Sequence, residues 1–472
     1  MINVLDDWYT RLTGDPFTDI GGFVLEYLHQ LFPEKSIMQH VEWAANVYVK
    51  KWSNNLHSFF LNSTITHNSN KGQKGIDKTL AYYNSLLSED NGVMGYCRVT
   101  GQFTKVFQAA RDNHIMSGSA TLINFHHGFE SGLQLSKEAL IRIFFVPLGV
   151  EQLGDKVAAV ICNAENVTRY IVRYNVDENL KALGSNSSTA IVKSDYHNPA
   201  NALFNFATRI IDTVRTATYE FENETGNATG ITLTLYHFTN FGASPSISIY
   251  TLPSTVFSFY SYCIIYHNDD WQNFIRRQYT NTKVKNTNYD STTRTWYTKK
   301  GDIVDFDVYK TWYNKIYEAL LSGNSRVILR SFLSHSKRFP FSFKIIEQYQ
   351  IKIRNMDKRT IAKIKELADF IIDDKSDDEI KRTIVRINKQ KSSSDLRRYF
   401  LKLIVEYNNK HSERSKPLIT VEEYVDYLFP DGSFWSELRD LLLIAVYQKL
   451  HELNKQVDIE IEEQAESENS NI

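Results

Sequence analysis

From about residue 330 onward, apolar residues recur three and four positions apart, and this spacing commits the last third of the chain to helices. Ile361, Ile364, Leu367, Ala368 and Ile371 keep the period, as do Leu396, Phe400, Leu403 and Tyr407. Such a period turns one side of each helix to a core and the other to solvent. Thr420-Val421-Glu422-Glu423 has the capping-box form, in which a hydroxyl and a carboxylate satisfy each other's backbone N–H groups. Trp435, Leu438, Leu442 and Ala445 open a long final helix. A helical bundle over 326–456 is the expectation, with an acidic, disordered tail over 457–472. Charge is polarised along this part: residues 330–416 carry 22 Lys/Arg against 12 Asp/Glu, and 417–472 carry 3 against 13.

Residues 1–325 have a different texture. Asp15 before Pro16 reads as an N-cap with proline at the first helical position. Phe23, Leu25, Tyr27, Leu28 and Leu31 then line one helix face, and residues 1–90 read as mostly helical. Short β-rich runs follow at Ile141–Pro147 and Ala158–Cys162. Ile231–Phe238 and Ser246–Leu252 are expected to pair antiparallel, and Ala200–Ala217 and Val308–Ser322 to be helices. The fold class is α+β: a mixed α/β N-terminal domain with antiparallel strands, then a C-terminal all-α bundle.

Composition narrows function by exclusion. The three cysteines, Cys97, Cys162 and Cys263, lie far apart, which excludes a disulfide framework and an all-cysteine zinc site. They suit a reducing cytoplasm. The N-terminus has no basic segment leading into an apolar one, so no signal peptide is expected, and no apolar run approaches the ~20 residues of a membrane span. The formal net charge is −1, so any polyanion must be met by local patches.

Catalytic motifs fail when tested. Gly72-Gln73-Lys74-Gly75-Ile76-Asp77-Lys78-Thr79 approaches the P-loop pattern, but Asp77 puts a carboxylate where backbone must wrap phosphate. His267-Asn268-Asp269-Asp270 packs metal-ligand types side by side, where a turn is the default. No nucleophile sits in a recognisable elbow. The expectation is no enzyme and no cofactor, the alternatives being a structural adaptor or a metal-dependent nuclease subunit.

Two stretches have the chemistry of nucleic-acid binding. In the first, Arg276, Arg277, Lys283, Lys285, Arg294, Lys299 and Lys300 are interleaved with Tyr279, Tyr289, Trp296 and Tyr297, offering cations to phosphates and flat rings to bases. An exposed hairpin with charged edges is the plainer reading. In the second, Lys381, Arg382, Arg386, Lys389, Lys391, Arg397, Arg398 and Lys402 are expected to form a stripe across a turn between two helices; for any one of them, a solvated face explains as much.

Four stretches, in order, resemble one family. They are Thr13-Gly14-Asp15-Pro16-Phe17-Thr18-Asp19-Ile20-Gly21-Gly22; the run from Cys97 through Ser117-Gly118-Ser119 and Gly132–Ser136 to Phe145–Gly149; Leu235–Leu252; and Pro417–Thr420 with Tyr427–Asp431 and Trp435–Tyr447. Together they resemble the Cst-type large subunit of the subtype I-B CRISPR Cascade. The resemblance implies recognition of a protospacer-adjacent motif, duplex opening, R-loop stabilisation and docking of a helicase-nuclease. It implies guide crRNA, target DNA, and the backbone and 5′-handle-binding Cascade subunits as partners. It also implies a small subunit, for which Met356 is a candidate internal start. Relatives carry paired C-x-x-C elements where this chain has Cys97–Thr100 and Ser136–Ala139, so this element is expected to fold without metal. Within this reading, Asn68, Asn70, Lys71, Gln73 and Lys74 of the polar Asn62–Gly75 loop are candidates for contacting the adjacent motif. Asp15, Pro16, Asp19 and Cys97 are assigned to structure.

Overall fold

The computed structural model describes residues 5–52, 56–118, 132–216, 230–239, 245–281, 287–290, 292–293, 295–373, 375–410, 416–430 and 434–455. The chain folds as α+β in two compact units, Met1–Phe257 with Tyr279–Tyr317 and Ser258–Gln278 with Glu318–Ile472. The boundary drawn at 325/326 from periodicity falls just past the third of the crossings between them, from Tyr317 to Glu318. The inclusion of Ser258–Gln278 in the helical unit has no counterpart in the sequence pattern. The 457–472 tail lies outside the described residues.

The first unit begins with α1 (Pro16–Leu31), whose N-cap Asp15 accepts from Thr18 N at 2.7 Å. Helices α2 (Ile37–Asn46) and α3 (Gln73–Leu87) follow. Strands β1 (Val93–Tyr96), β2 (Phe103–Ala109) and β3 (Leu133–Ser136) form an antiparallel sheet in the order β1-β2-β3. Then come α4 (Lys137–Phe145), β4 (Glu151–Leu153), β5 (Lys156–Cys162), α5 (Glu165–Gly184), α6 (Pro199–Thr216), β6 (Leu233–Thr239) and β7 (Ser246–Leu252). The four strands make a second antiparallel sheet, and β6 and β7 pair from Leu233–Leu252 to Thr239–Ser246 as the sequence predicts.

The core forms where α1 crosses α4. A Cβ on Gly21 would lie 1.9 Å from the Arg142 carbonyl oxygen, and one on Gly22 2.7 Å from its Nε, so glycine alone permits this approach. The Arg142 side chain is fully buried and donates to the Thr18, Arg11 and Trp8 carbonyls at 2.9, 2.8 and 3.4 Å. Its charge is met by Asp19 at 2.9 Å, and the same carboxylate accepts from Thr13 N, Thr13 Oγ1 and Gly14 N. The Thr13–Gly22 motif is thus a structural bolt: a cap, an ion pair and two glycines for close packing.

Two local expectations are corrected. Ile141–Pro147 is not a strand but the end of α4 and a 3-10 turn, Val146–Gly149. Every residue from Glu138 to Phe145 is buried, which erases the periodicity that separates helix from strand. The deciding signal is local: Ser136 Oγ accepts from Ala139 N at 3.4 Å and starts the helix. Val308–Ser322 is not one helix. A turn, Phe306–Tyr309, leads to strand Tyr313–Asn314, and Asn314 Oδ1 accepts from Ile316 N and Tyr317 N to begin a new helix, Lys315–Ser322.

The second unit is helical. It comprises most of α7 (Ser254–Tyr266) and α8 (Asn268–Arg276), then α9 (Ser325–Ser336), α10 (Phe343–Lys352), α11 (Lys358–Ile372), α12 (Asp377–Asn388), α13 (Ser393–Lys410) and α14 (Trp435–Glu452). Leu441 to Tyr447 of α14 are buried without a break, which marks it as the central helix, with α9, α11, α12 and α13 packed around it. The Thr420–Glu423 box forms as predicted, with Thr420 N donating to Glu423 at 2.9 Å and Glu423 N to Thr420 Oγ1 at 3.1 Å. Buried Lys363 ties this turn to α11 through Glu423 at 2.8 Å and the Leu418 carbonyl at 3.1 Å. No helix among the described residues is long and apolar enough to cross a membrane.

Candidate nucleic-acid interface

The three sets of candidate contact residues fare differently. In the Asn62–Gly75 segment, Asn70 is buried, and its Oδ1 accepts from Lys78 Nζ at 2.9 Å. Its carbonyl lies 2.2 Å from where a Cβ on Gly75 would be, so this corner is packed shut. Asn70 is therefore a structural residue, and its assignment to base reading is withdrawn. Residues read as loop turn instead into a 3-10 turn, Asn68–Asn70, and the start of α3. Asn68, Lys71, Gln73 and Lys74 are exposed, with Gln73 Nε2 donating to Asp77 at 2.9 Å.

The Arg276–Lys300 stretch is divided. Arg276 and Arg277 close α8 in the helical unit, whereas Tyr279 to Lys300 belong to the first unit. Half-buried Arg277 lies over the Phe339 ring at 4.1 Å, with Nη1 3.4 Å from His335 Nδ1. Burial, Arg277 and His451 together push the His335 pKa down to about 3. In the first unit, strands Asn288–Asp290, Thr295–Tyr297 and Ile303–Val304 form a small sheet. Half-buried Trp296 packs between Tyr289 and Trp312 at 5.3 and 6.0 Å. Lys299 and Lys300 are exposed at the hairpin tip; Lys283, Lys285 and Arg294 lie outside the described residues.

His267–Asp270 also resolves into structure. His267 precedes α8, Asp269 and Asp270 occupy its first turn, where carboxylates suit the helix dipole, and His267 Nε2 lies 3.2 Å from the Tyr262 hydroxyl. Among the described residues, no three His, Cys, Asp or Glu side chains gather as a metal site would require. At the position of the C-x-x-C elements, Cys97 Sγ accepts from Thr100 N at 3.4 Å, and Ser136 caps α4. Burial raises the Cys97 pKa, but hydrogen bonds from Thr100 and the Ser136, Thr100 and Val99 backbone outweigh it and the net shift is down. The two elements meet, but with one sulfur among Cys97, Thr100, Ser136 and Ala139 they do not fit a zinc ion.

The third set is intact. On α12, Ile380, Thr383, Ile384 and Ile387 are buried, and on α13, Leu396, Tyr399, Phe400 and Leu403 are buried. This i, i+3, i+4, i+7 order turns the remaining positions outward. Lys381, Arg382, Arg386, Lys389, Lys391, Arg397, Arg398 and Lys402 are all exposed. From Ile380 to Val405 the chain has these eight cations and a single acid, Asp395. Arg386 reaches Glu406 of α13 at 4.0 Å, an ion pair between the two basic helices. Arg397 lies over Phe429 at 4.8 Å. Lys381, Lys389, Lys391, Arg398 and Lys402 make no ion pair among the described residues. Arg382, Arg386 and Lys389 follow one another at about 6 and 4.5 Å along the helix axis, a spacing near that of successive phosphates.

Sequence patterning did not mark Leu401 and Val405, which are more than half exposed on the outer face of α13 among these cations. Exposure of this kind is visible only when the inner face is known.

Residues 335–472 match the family model of the DevT C-terminal domain. The match takes in α10 to α14, and so the whole basic face, but it covers less than a third of the chain. No curated protein matches the sequence.

Proposed function

We propose that this chain is a non-catalytic, nucleic-acid-handling subunit whose α12 and α13 track a phosphate backbone. The observation that carries this reading is the basic face: eight cations, every one exposed, on two adjacent helices whose inner faces are wholly committed to the core. Five of them, Lys381, Lys389, Lys391, Arg398 and Lys402, make no ion pair among the described residues, and on a chain of net charge −1 they are available to a polyanion. The finer reading is the large subunit of an RNA-guided DNA-targeting complex of the Cascade subtype I-B kind. It is supported by the order of the Thr13–Gly22, Cys97–Gly149, Leu235–Leu252 and Pro417–Tyr447 stretches. In that role the protein works with guide crRNA, target DNA, the backbone and handle-binding subunits and a helicase-nuclease, in the cytoplasm.

The test is the salt dependence of binding to single-stranded DNA. Each phosphate contact contributes about 0.7 to the slope of log K against log salt. The K389Q/K391Q/R398Q/K402Q variant should lower that slope by about 3 if each side chain meets one phosphate. An unchanged slope would show that the stripe merely faces solvent. For the finer reading, the native complex should hold RNA of uniform, repeat-derived 5′ end; absence of bound RNA would reject it.

A further inference from the structure

α14 ends at Glu452, and the Lys455 ammonium lies 3.9 Å from Asp377, the first residue of α12. Segment 456–472 follows Lys455, which is held beside the helix that carries Lys381, Arg382 and Arg386. Its sequence, Q-V-D-I-E-I-E-E-Q-A-E-S-E-N-S-N-I, holds Asp458, Glu460, Glu462, Glu463, Glu466 and Glu468 and no Lys or Arg. The exposed face of that helix has the opposite sign. Length permits contact as well: seventeen residues reach up to about 55–60 Å when extended. Eighteen-residue α13 is about 27 Å long.

Apolar pattern agrees with charge. Val457, Ile459 and Ile461 alternate with Asp458, Glu460 and Glu462, so an extended chain carries apolar side chains along one side and carboxylates along the other. The basic face presents both complements: exposed Leu401 and Val405 on α13, and Arg382, Arg386 and Lys389 on neighbouring α12.

We propose that segment 456–472 folds back over the basic face of α12 and α13 as an intramolecular polyanion that competes with nucleic acid. The competition rests on reading that face as a phosphate-binding surface; the docking does not. Tethering holds the segment at an effective concentration of order millimolar, so weak ion pairs suffice to occupy the face. Added salt weakens both the tail and its competitor.

Two measurements on the full chain separate the parts. Zero-length carbodiimide cross-linking with mass spectrometry should join carboxylates of Asp458–Glu468 to Lys381, Lys389, Lys391 or Lys402 with no nucleic acid present. Fluorescence anisotropy with a fluorescein-labelled oligo(dT) should show the D458N/E460Q/E462Q/E463Q/E466Q/E468Q variant binding about ten-fold tighter than the parent at low salt, the two converging as salt rises. Tail-to-stripe cross-links with tighter binding by the variant establish the proposal. No such cross-links, or equal affinity at low salt, overturns it. Cross-links with no DNA binding by either protein uphold the docking and overturn the phosphate-binding reading instead.

Discussion

Replacing Asp19 by alanine tests the central claim about the first unit, that the Thr13–Gly22 motif is there to bury a charge. The carboxylate accepts from Thr13 N at 2.9 Å, Thr13 Oγ1 at 2.8 Å, Gly14 N at 3.0 Å and Arg142 Nη2 at 2.9 Å. Arg142 is fully buried and, among the described residues, has no other carboxylate within ion-pair distance. Removing one partner of such a pair costs about 3–5 kcal/mol, because the other charge stays desolvated. Three carbonyls continue to accept from the guanidinium, which argues for the lower part of that range. With two compact units, one unfolding midpoint is not a measure of either. Native-state hydrogen exchange on peptides from α1 and α4 reads the local opening free energy instead. Asp19→Ala should lower it by about 3 kcal/mol, and Asp19→Ala with Arg142→Met should recover part of that, since no unpaired charge remains. Asp15→Ala, which removes only a cap, should cost about 1 kcal/mol. A loss below about 1 kcal/mol for Asp19→Ala, or no recovery in the double variant, would refute the bolt.

Three further outcomes are expected. Gly21→Ala should weaken the same α1–α4 peptides by at least about 1–3 kcal/mol, since its Cβ would meet the Arg142 carbonyl; unaltered exchange would mean the helices part easily. His335 stays neutral when folded, its pKa pushed down from 6.5 to about 3, so the unfolded state binds its proton first. Stability of the helical unit should therefore be full above pH 6.5 and fall toward pH 5, and His335→Gln should flatten that slope; an unchanged slope would assign it to other groups. Intact-mass analysis of the native complex should reveal whether a fragment starting at Met356 accompanies the full chain. Such a fragment would begin next to the α11 cap Asp357 and lack α9 and α10, leaving the α14 surface that α9 packs against uncovered. It is expected only bound to partners, and a monodisperse free fragment would contradict this.

Much of the fold was legible because its signals are local. The Asp15–Pro16 cap, the Thr420–Glu423 box, the β6–β7 pair and the apolar rows of α11 and α13 each lie within a short window, and each formed as read. The basic stripe was legible for the same reason: once the buried row of an amphipathic helix is known, the outward positions follow. The division of the Arg276–Lys300 stretch was not legible, since nothing in its composition marks that the chain changes units between Gln278 and Tyr279.

What the sequence determined by itself is periodicity: which segments are helices or paired strands, and which side of α12 and α13 holds the cations. Tertiary structure alone decided the rest. It buried Asn70, packed Trp296 and Arg277 against other rings, and made α4 a helix where an unbroken apolar run has no period to read. It also set Lys455 beside Asp377, at the start of a basic helix. The physical reason is range: caps and amphipathic rows are fixed by neighbours a turn away, whereas burial, ion pairing and proximity depend on residues a hundred positions distant.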